Sequence, residues 1–192
     1  MMAATPEDHR HEGIYFNLLE AVVTEEHGGN TWDTMLEAAG LSGAYTSLGN
    51  YPDDDLLKLV AAASAVLGMP ADAVLRWVGR EALPREAERF PSFFSGHASA
   101  QSFILTLNEV IHPEVRKLYP GADVPDFEFH RPSEETLVVT YRSRRKLCEL
   151  AEGMIDGSAG YYAQVVTIEQ PLCMNRGDDR CELVCTFSHA SG

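Results

Sequence analysis

The sequence predicts an α+β fold, with an N-terminal helical lobe followed by a C-terminal lobe that holds a mainly antiparallel four-stranded sheet and long helices. Apolar residues recur at helical spacing as far as Tyr119, which is typical of amphipathic helices. After Pro120, apolar and polar residues alternate in short runs, which is typical of half-buried strands. The expected order of strand, strand, helix, strand, strand favours an antiparallel sheet.

The predicted helical lobe follows a polar segment at residues 1–12, which we interpret as a flexible leader. Its first helix starts at Gly13, and a second, short helix ends at Gly40, because glycine tolerates the left-handed backbone of a helix C-cap. A third helix starts at Pro52, where the three aspartates that follow favour the positive end of the helix dipole. A fourth helix starts at Pro70.

The two lobes, at about residues 13–80 and 81–192, are expected to form a single domain. In the second lobe a long helix spans about Ala98 to Tyr119 and carries Pro113, which has no backbone N–H and should kink or break the helix. Four strand-like runs follow, and a helix separates the second run from the third. The runs include Phe127, Leu137, Val165 and Leu183.

Net charge excludes several classes of partner. The 192 residues include 29 acidic and 15 basic side chains, which gives a net charge of −14 without a basic stripe. Nucleic acids and anionic lipids are therefore poor partners, because both are bound through lysine and arginine. No apolar run reaches the roughly 20 residues that cross a membrane, and residues 1–12 lack the basic and apolar regions of a secretion signal. We therefore expect a cytoplasmic protein.

His112 is the first candidate functional residue. It lies beside the apolar stripe of the long helix and directly before Pro113, which pushes the preceding residue away from ideal helical geometry. A buried, neutral imidazole with one free nitrogen is what an axial iron ligand requires. The alternative is a histidine at a helix end that hydrogen-bonds a backbone carbonyl, which is the more frequent role of a lone helical histidine.

The second candidate is the motif Tyr141-x-Ser143-x-Arg145. In an extended segment, alternate side chains point to the same side at intervals of about 6.6 Å. These three residues would then present two hydroxyls and one guanidinium to a single ligand. All three donate hydrogen bonds, and arginine binds carboxylates through two parallel bonds, so the motif indicates a site for a dianion. The alternative is a basic turn at a strand end that is simply solvated.

Four cysteines form the third candidate. The chain shows no export signal, so metal binding or redox chemistry is favoured over disulfides. Cys173 and Cys181 are expected at one end of a hairpin, and Cys148 approaches them from a helix. Three thiolates hold Zn²⁺ if a fourth ligand completes the tetrahedron. In a continuous strand Cys185 lies about 13 Å along the chain from Cys181, and four buried, reduced cysteines are an equally open alternative.

Motifs along nearly the whole chain, from about residue 13 to residue 188, match one known family. The Tyr141-x-Ser143-x-Arg145 motif after His112-Pro113 is the most specific of them. The other matching segments are Gly13–Asn17, Thr31–Asp33, Leu107–Pro120, Val124–Phe127 and Glu152–Gly157. On these segments the chain resembles the heme nitric-oxide/oxygen-binding (H-NOX) family, which is related to the heme domain of soluble guanylate cyclase.

The resemblance implies an H-NOX-type fold and a role for each matching residue. His112 corresponds to the axial ligand of heme b iron, and Pro125 corresponds to a proline that presses on the porphyrin. The residues implied to bind the heme propionates are Tyr141, Ser143 and Arg145. Oxygen-binding members carry a tyrosine where this chain has Leu150, whose apolar side chain offers oxygen no hydrogen bond.

The resemblance also implies a zinc site, because some proteobacterial members bind Zn²⁺ through three cysteines and one histidine. The matching cysteines are Cys148, Cys173 and Cys181. Gln170 stands at the histidine position and is a poor zinc ligand. The fourth ligand therefore stays open between Gln170, Cys185 and water, and loss of the zinc site is a further alternative.

By resemblance the chain is a bacterial sensor and not an enzyme. It is expected to bind nitric oxide at ferrous heme, with carbon monoxide as a further ligand, and to discriminate against oxygen. Its implied partner is a separate histidine kinase or cyclic-di-GMP enzyme. The alternative function is a zinc or thiol redox sensor that uses the C-terminal cysteines.

Overall fold

The computed structural model describes residues 10–119 and 122–189. The chain divides into two compact units, Met1–Val74 and Leu75–Gly192. Of the predicted leader, residues 1–9 lie outside the described residues. The segment Arg10–Glu12 forms a short strand, so the prediction of a leader as far as residue 12 is wrong for these three residues.

Three helices and a two-stranded ribbon make up most of the first unit. The ribbon pairs β1 (Arg10–Glu12) antiparallel with β2 (Asn50–Pro52). The helices are α1 (Gly13–His27), α2 (Gly29–Ala39) and α3 (Asp53–Leu67). The glycines that end α2 and α3, Gly40 and Gly68, have φ values of 68° and 66°, where a residue without Cβ is favoured. The fully buried side chains of this core include Phe16, Leu19, Val22, Val23, Met35 and Leu59.

Five helices contribute to the second unit. They are α4 (Ala71–Arg89), α5 (Pro91–Phe94), α6 (Ala100–Ile104), α7 (His112–Leu118) and α8 (Cys148–Tyr161). α4 runs through Pro84, although a proline inside a helix usually ends or kinks it. The helix tolerates the missing N–H because Leu83 and Ala87, on either side of the proline, are both buried in the core. No single helix among the described residues is long and apolar enough to cross a membrane, although segments 54–67 and 71–89 meet that criterion together as a bent pair.

The long helix predicted from Ala98 to Tyr119 is divided into three pieces. α6 ends at Ile104, a π-helix spans Leu107–Ile111, and α7 begins at His112. Pro113 lies in the first turn of α7, where a missing N–H removes no helical hydrogen bond. The predicted break at the proline is therefore present, but it takes the form of a π-helix that precedes it.

The second unit contains the predicted antiparallel sheet of four strands. They are β3 (Asp126–His130), β4 (Thr136–Arg142), β5 (Gln164–Leu172) and β6 (Cys181–His189), in the order β3-β4-β6-β5. Along β4 buried residues alternate with half-buried ones, since one face packs on the core. That core combines Leu137, Val139, Leu183 and Phe187 from the sheet with Phe103, Ile104 and Ile155 from the helices. The α+β prediction is confirmed.

Candidate functional site

His112 is a buried polar residue at the start of α7. The residue is only 8% exposed. Its ring stacks on Phe127, with centroids 5.6 Å apart and planes inclined by 27°. No residue within 10–119 or 122–189 hydrogen-bonds its imidazole. The carbonyl partner that a structural helix-end histidine would have is therefore not found in the described part of the chain.

Burial also sets the protonation state of His112. Desolvation, assisted by the positive charge of Arg116, lowers the pKa of the imidazole to about 4, and Asp126 opposes this only in part. The ring is therefore neutral at physiological pH. A neutral imidazole keeps a lone pair on one nitrogen, which is the form that binds a metal ion.

A π-helix and one amide side chain hold the backbone that leads into His112. The His112 N–H donates to the Leu107 carbonyl, five residues back. The Asn108 Nδ2 donates to the Phe127 carbonyl at 2.6 Å, which ties the π-helix to β3. Sequence reasoning missed both Asn108 and Phe127 as site residues. The sequence carried no signal for either role, because both depend on tertiary contacts.

Sheet pairing brings Tyr141 to the same aromatic ring. Phe127 on β3 pairs with Tyr141 on β4, and their ring centroids are 5.7 Å apart. Tyr141 is buried, and its hydroxyl accepts a hydrogen bond from the Leu147 N–H at 3.1 Å. Phe127 thus packs against both His112 and Tyr141, so the predicted axial ligand and the first residue of the motif lie in one region of the second unit.

Ser143 and Arg145 lie in a turn and not in the extended segment that the sequence predicts. β4 ends at Arg142, and the Ser143 Oγ accepts a hydrogen bond from the Arg145 N–H at 3.2 Å. Lys146 follows with a positive φ of 52°. A local serine bond of this kind competes with strand extension, so the predicted even spacing of the three side chains is wrong.

Arg145 connects this turn to the segment before β3. Its Nη1 donates to the Asp123 carbonyl at 2.9 Å, and the Asp123 carboxylate pairs with Arg144 at 3.4 Å. Pro125 follows two residues later and is half-buried. The guanidinium of Arg145 therefore lies beside the segment that carries the predicted porphyrin contact.

Leu150 lies on α8 and is 9% exposed. Its backbone carbonyl faces α4 so closely that a Cβ on Gly79 would lie 2.3 Å from the carbonyl oxygen. The side chain is apolar and contributes no hydrogen-bond donor.

These groups fit the requirements of a heme. His112 supplies a buried neutral nitrogen ligand, which an axial position requires. The hydroxyls of Tyr141 and Ser143 and the guanidinium of Arg145 are donors of the kind that bind two carboxylates. Three neighbours within the same unit hold these groups in place: Phe127 packs on His112, the Asp123 carbonyl accepts from Arg145, and the Leu147 N–H donates to Tyr141.

The cysteines separate into two sites. The sulfur atoms of Cys148, Cys173 and Cys181 lie within 4.8 Å of one another, and all three residues are buried. Cys173 and Cys181 thus lie together at one end of the β5–β6 hairpin, and Cys148 approaches them from α8, as the sequence predicts. Cys185 lies elsewhere, in the apolar core with Leu137 and Phe187, and its thiol donates to the Leu183 carbonyl at 3.7 Å. The prediction of Cys185 as a candidate fourth ligand is therefore wrong. Cys185 lies further along β6 than Cys181 and packs in the apolar core instead of the cluster.

Burial also determines the protonation of the Cys148, Cys181 and Cys185 thiols. Desolvation raises the pKa of Cys148 and of Cys181, and hydrogen bonds from the Gln170 side chain and the Met174 N–H, respectively, oppose that effect. Burial alone raises the pKa of Cys185 to about 12. The thiols are therefore protonated at neutral pH unless a cation replaces the protons.

Comparison with known proteins places the chain in a family. The profile of the haem-NO-binding family matches residues 12–170. An H-NOX protein from S. oneidensis, solved in the Fe(II)NO state, is 28% identical, with a TM-score of 0.85 over 93% of this chain and 100% of that one. The H-NOX domain from Shewanella oneidensis in the Fe(II)CO state is 28% identical, with a TM-score of 0.83 over 93% of this chain and 99% of that one.

A more distant structure supports the fold alone. The unliganded Fe(II) H-NOX protein from K. algicida is 21% identical, with a TM-score of 0.82 over 93% of this chain and 97% of that one. No curated protein matches the chain closely. The profile match spans most of the sequence and includes His112, the Tyr141-x-Ser143-x-Arg145 motif and Pro125. The chain therefore belongs to the haem-NO-binding, or H-NOX, family of heme gas-sensor domains.

Proposed function

We propose that this protein senses nitric oxide at a ferrous heme b bound through His112, discriminates against oxygen, and regulates a separate signalling protein without catalysing a reaction itself. The observation that carries this proposal is the imidazole of His112, which is buried, neutral and without a hydrogen-bond partner among the described residues. Heme, when bound, supplies an iron centre that takes a diatomic gas. H-NOX structures with NO and with CO at Fe(II) support both gases as ligands.

The residues around His112 would position the heme. Tyr141, Ser143 and Arg145 would bind its two propionates, and the hydrogen bond from Arg145 to the Asp123 carbonyl would orient the guanidinium. Pro125 would contact the macrocycle from the segment that carries Asp123. A fixed guanidinium loses less side-chain entropy on binding than a free one, which increases its contribution to affinity.

Leu150 would exclude oxygen by its chemistry. A heme pocket favours oxygen when it offers a hydrogen-bond donor, whereas nitric oxide needs none. The Leu150 side chain has no donor to offer. We therefore assign it the discrimination between the two gases.

The signal would leave the site through the backbone around His112. Asn108 joins the π-helix to β3, and Phe127 on that strand stacks on the imidazole. A displacement of His112 would thus reach both α7 and the sheet. A partner protein reads this change, and a histidine kinase or a cyclic-di-GMP enzyme is the partner class that we propose.

Absorption spectroscopy tests the proposal. The protein reconstituted with heme and kept anaerobic should show a Soret band that shifts when nitric oxide is added. The His112→Ala variant should lose most of its heme affinity, because it loses the axial ligand.

His97→Ala is the matched control, since His97 belongs to the same unit and packs on Phe103 instead of Phe127. It should keep the wild-type spectrum. The proposal fails if the wild-type protein takes up no heme, or if His112→Ala binds heme as tightly as the wild-type protein does.

A further inference from the structure

The three clustered cysteines do not fit the tetrahedral zinc site that the family pattern implies. Zinc in a structural site requires four protein ligands. The described residues offer three ligand atoms within 4.8 Å of one another, the sulfurs of Cys148, Cys173 and Cys181. A tetrahedral zinc site would need a fourth group in addition to these sulfurs.

Two carboxylates lie near the cluster, and both are engaged elsewhere. The Glu149 carboxylate accepts hydrogen bonds from the Asn175 Nδ2 at 3.0 and 3.2 Å. The Asp178 Oδ2 accepts a hydrogen bond from the Cys173 N–H at 2.7 Å, which stabilises the turn of the β5–β6 hairpin. Neither carboxylate belongs to the group of converging ligand atoms.

Gln170 occupies the position of the expected histidine, and its amide oxygen is already engaged. The Oε1 accepts a hydrogen bond from the Arg176 Nη1 at 3.4 Å. Its Nε2 is buried and makes no regular hydrogen bond among the described residues. A side-chain amide nitrogen carries two N–H groups and no free lone pair, so it donates hydrogen bonds and does not bind a cation.

Nearby N–H groups are directed at the sulfurs. The Asn175 Nδ2 lies 3.4 Å from the Cys148 Sγ, and the Met174 N–H donates to the Cys181 Sγ at 3.2 Å. Thiols are weak acceptors, whereas thiolates are strong ones. Donors directed at two of the three buried sulfurs therefore favour a state in which a bound cation has replaced the thiol protons.

We propose that Cys148, Cys173 and Cys181 form a trigonal three-sulfur site for a soft monovalent cation of the Cu(I) type, to which Gln170 contributes no ligand. Soft thiolates favour Cu(I), and three sulfur ligands satisfy it without a fourth protein group. The Cys148 and Cys173 sulfurs are 3.8 Å apart, close enough to share one ion. Each sulfur that binds the ion releases its proton to solvent.

Metal competition tests the proposal on the full-length, reduced chain under anaerobic conditions. Cu(I) and Zn²⁺ are titrated separately against a chelator, and the metal retained per chain is measured after desalting. The wild-type protein should retain one Cu(I) per chain. Gln170→His adds the missing nitrogen ligand and should bind zinc at least about tenfold more tightly than the wild-type protein.

Three variants complete the design. Cys173→Ala should lose the bound Cu(I), whereas Cys185→Ala should keep it, since Cys185 is a buried cysteine outside the cluster. Gln170→Ala should also keep it, because the amide is not a ligand. Far-ultraviolet circular dichroism and thermal unfolding of each variant show whether the protein has folded, and neither depends on binding of the metal or of heme.

Three outcomes would overturn the proposal. The first is a wild-type protein that binds zinc as tightly as Gln170→His does. The second is Cu(I) retention that survives in Cys173→Ala. The third is loss of Cu(I) from Gln170→Ala in a protein that keeps its wild-type circular dichroism spectrum.

Discussion

The residues around His112 determine the pKa of its imidazole. A histidine in water has a pKa near 6.5, but burial beside Phe127 and the charge of Arg116 lower the pKa of this one to about 4. The folded protein therefore holds His112 neutral at pH values where the unfolded chain is already protonated. This difference links the stability of the protein to pH.

We expect the heme-free protein to lose stability between pH 6.5 and pH 4. Above pH 6.5 His112 is neutral in both states. As the pH falls below this value the unfolded chain binds the proton first, and the free energy of unfolding decreases by about 2 to 3 kcal/mol by pH 4.5. Urea unfolding at pH 7 and at pH 4.5 measures this change.

The His112→Leu variant is the control for the pH dependence. Leucine keeps an apolar side chain in the buried position but cannot be protonated. The difference between the two pH values should shrink by the same 2 to 3 kcal/mol, approximately. An equal loss of stability in the wild-type protein and the variant would assign the effect to other groups.

Leu150 is expected to set oxygen affinity. Leu150→Tyr adds a hydroxyl that can donate to a polarised ligand, and it should raise oxygen affinity by about tenfold or more, which is the scale of one hydrogen bond to a charged group. Leu150→Phe adds the same ring without the hydroxyl. Oxygen titrations followed by absorption should separate the two variants, and equal affinities would mean that Leu150 does not face the ligand.

At the scale of single residues, sequence reasoning found the groups whose chemistry is rare. The pairing of His112 with proline and the Tyr141-x-Ser143-x-Arg145 motif are both visible in the sequence. The contribution of Phe127 is not, because it depends on the register that places this ring opposite Tyr141. The hydrogen bonding of the Gln170 side-chain amide could not be predicted either, since its oxygen accepts from Arg176, which is six residues away.

Glycines determine the contact between α4 and α8. A Cβ on Gly153 would lie 2.0 Å from the Arg76 carbonyl oxygen, and a Cβ on Gly79 would lie 2.3 Å from the Leu150 carbonyl oxygen. The two helices therefore approach at the distance of their backbones. Arg76 also pairs with Glu152, whose side chain is 3% exposed while that of Arg76 is 51% exposed, so the contact combines close packing with an ion pair of which only the carboxylate is buried.

We expect Gly153→Ala to destabilise the protein by about 1 to 3 kcal/mol, because the added methyl must push α4 and α8 apart. Gly160→Ala is the control on the same helix. Nothing lies within 4 Å of its Cβ position, so alanine should be neutral or should stabilise by up to about 1 kcal/mol through helix propensity. Thermal or urea unfolding compares the two, and similar effects would argue against the close contact.

At the scale of elements, proline position was informative but not sufficient. The break next to Pro113 was predicted because a proline interrupts helical hydrogen bonding. The π-helix before it could not be predicted, since it depends on the tertiary bond from Asn108 to β3. Pro84 shows the opposite case, where the burial of Leu83 and Ala87 keeps α4 helical through a proline.

At the scale of the whole molecule, alternation in the C-terminal part was enough to predict an antiparallel sheet of four strands. The strand order β3-β4-β6-β5 could not be predicted from the sequence. It requires β6 to pair with the distant strand β4 on one side and with β5, its hairpin partner, on the other. The strand at Arg10–Glu12 was also missed. Its pairing with Asn50–Pro52 joins residues that are distant in sequence, and its composition is polar.

The net charge of −14 should make stability depend on salt. Like charges on one compact molecule repel each other, and salt screens the repulsion. We expect the thermal midpoint at pH 7 to rise when sodium chloride is increased from about 0.05 to 0.3 M, since the Debye length then falls well below 10 Å. Near the isoelectric point of about 4.8 the same increase should have little effect. A midpoint that falls with salt at pH 7 would contradict this expectation.

The π-helix at Leu107–Ile111 holds one residue more than an α-helical turn would. This extra residue lies in the backbone directly before His112. An α-helix rotates by about 100° per residue, so conversion of the π-turn to an α-turn would rotate the preceding helix by about that angle relative to α7. Gain or loss of a single wide turn is thus enough to convert a local change at position 112 into a large rotation of the preceding helix.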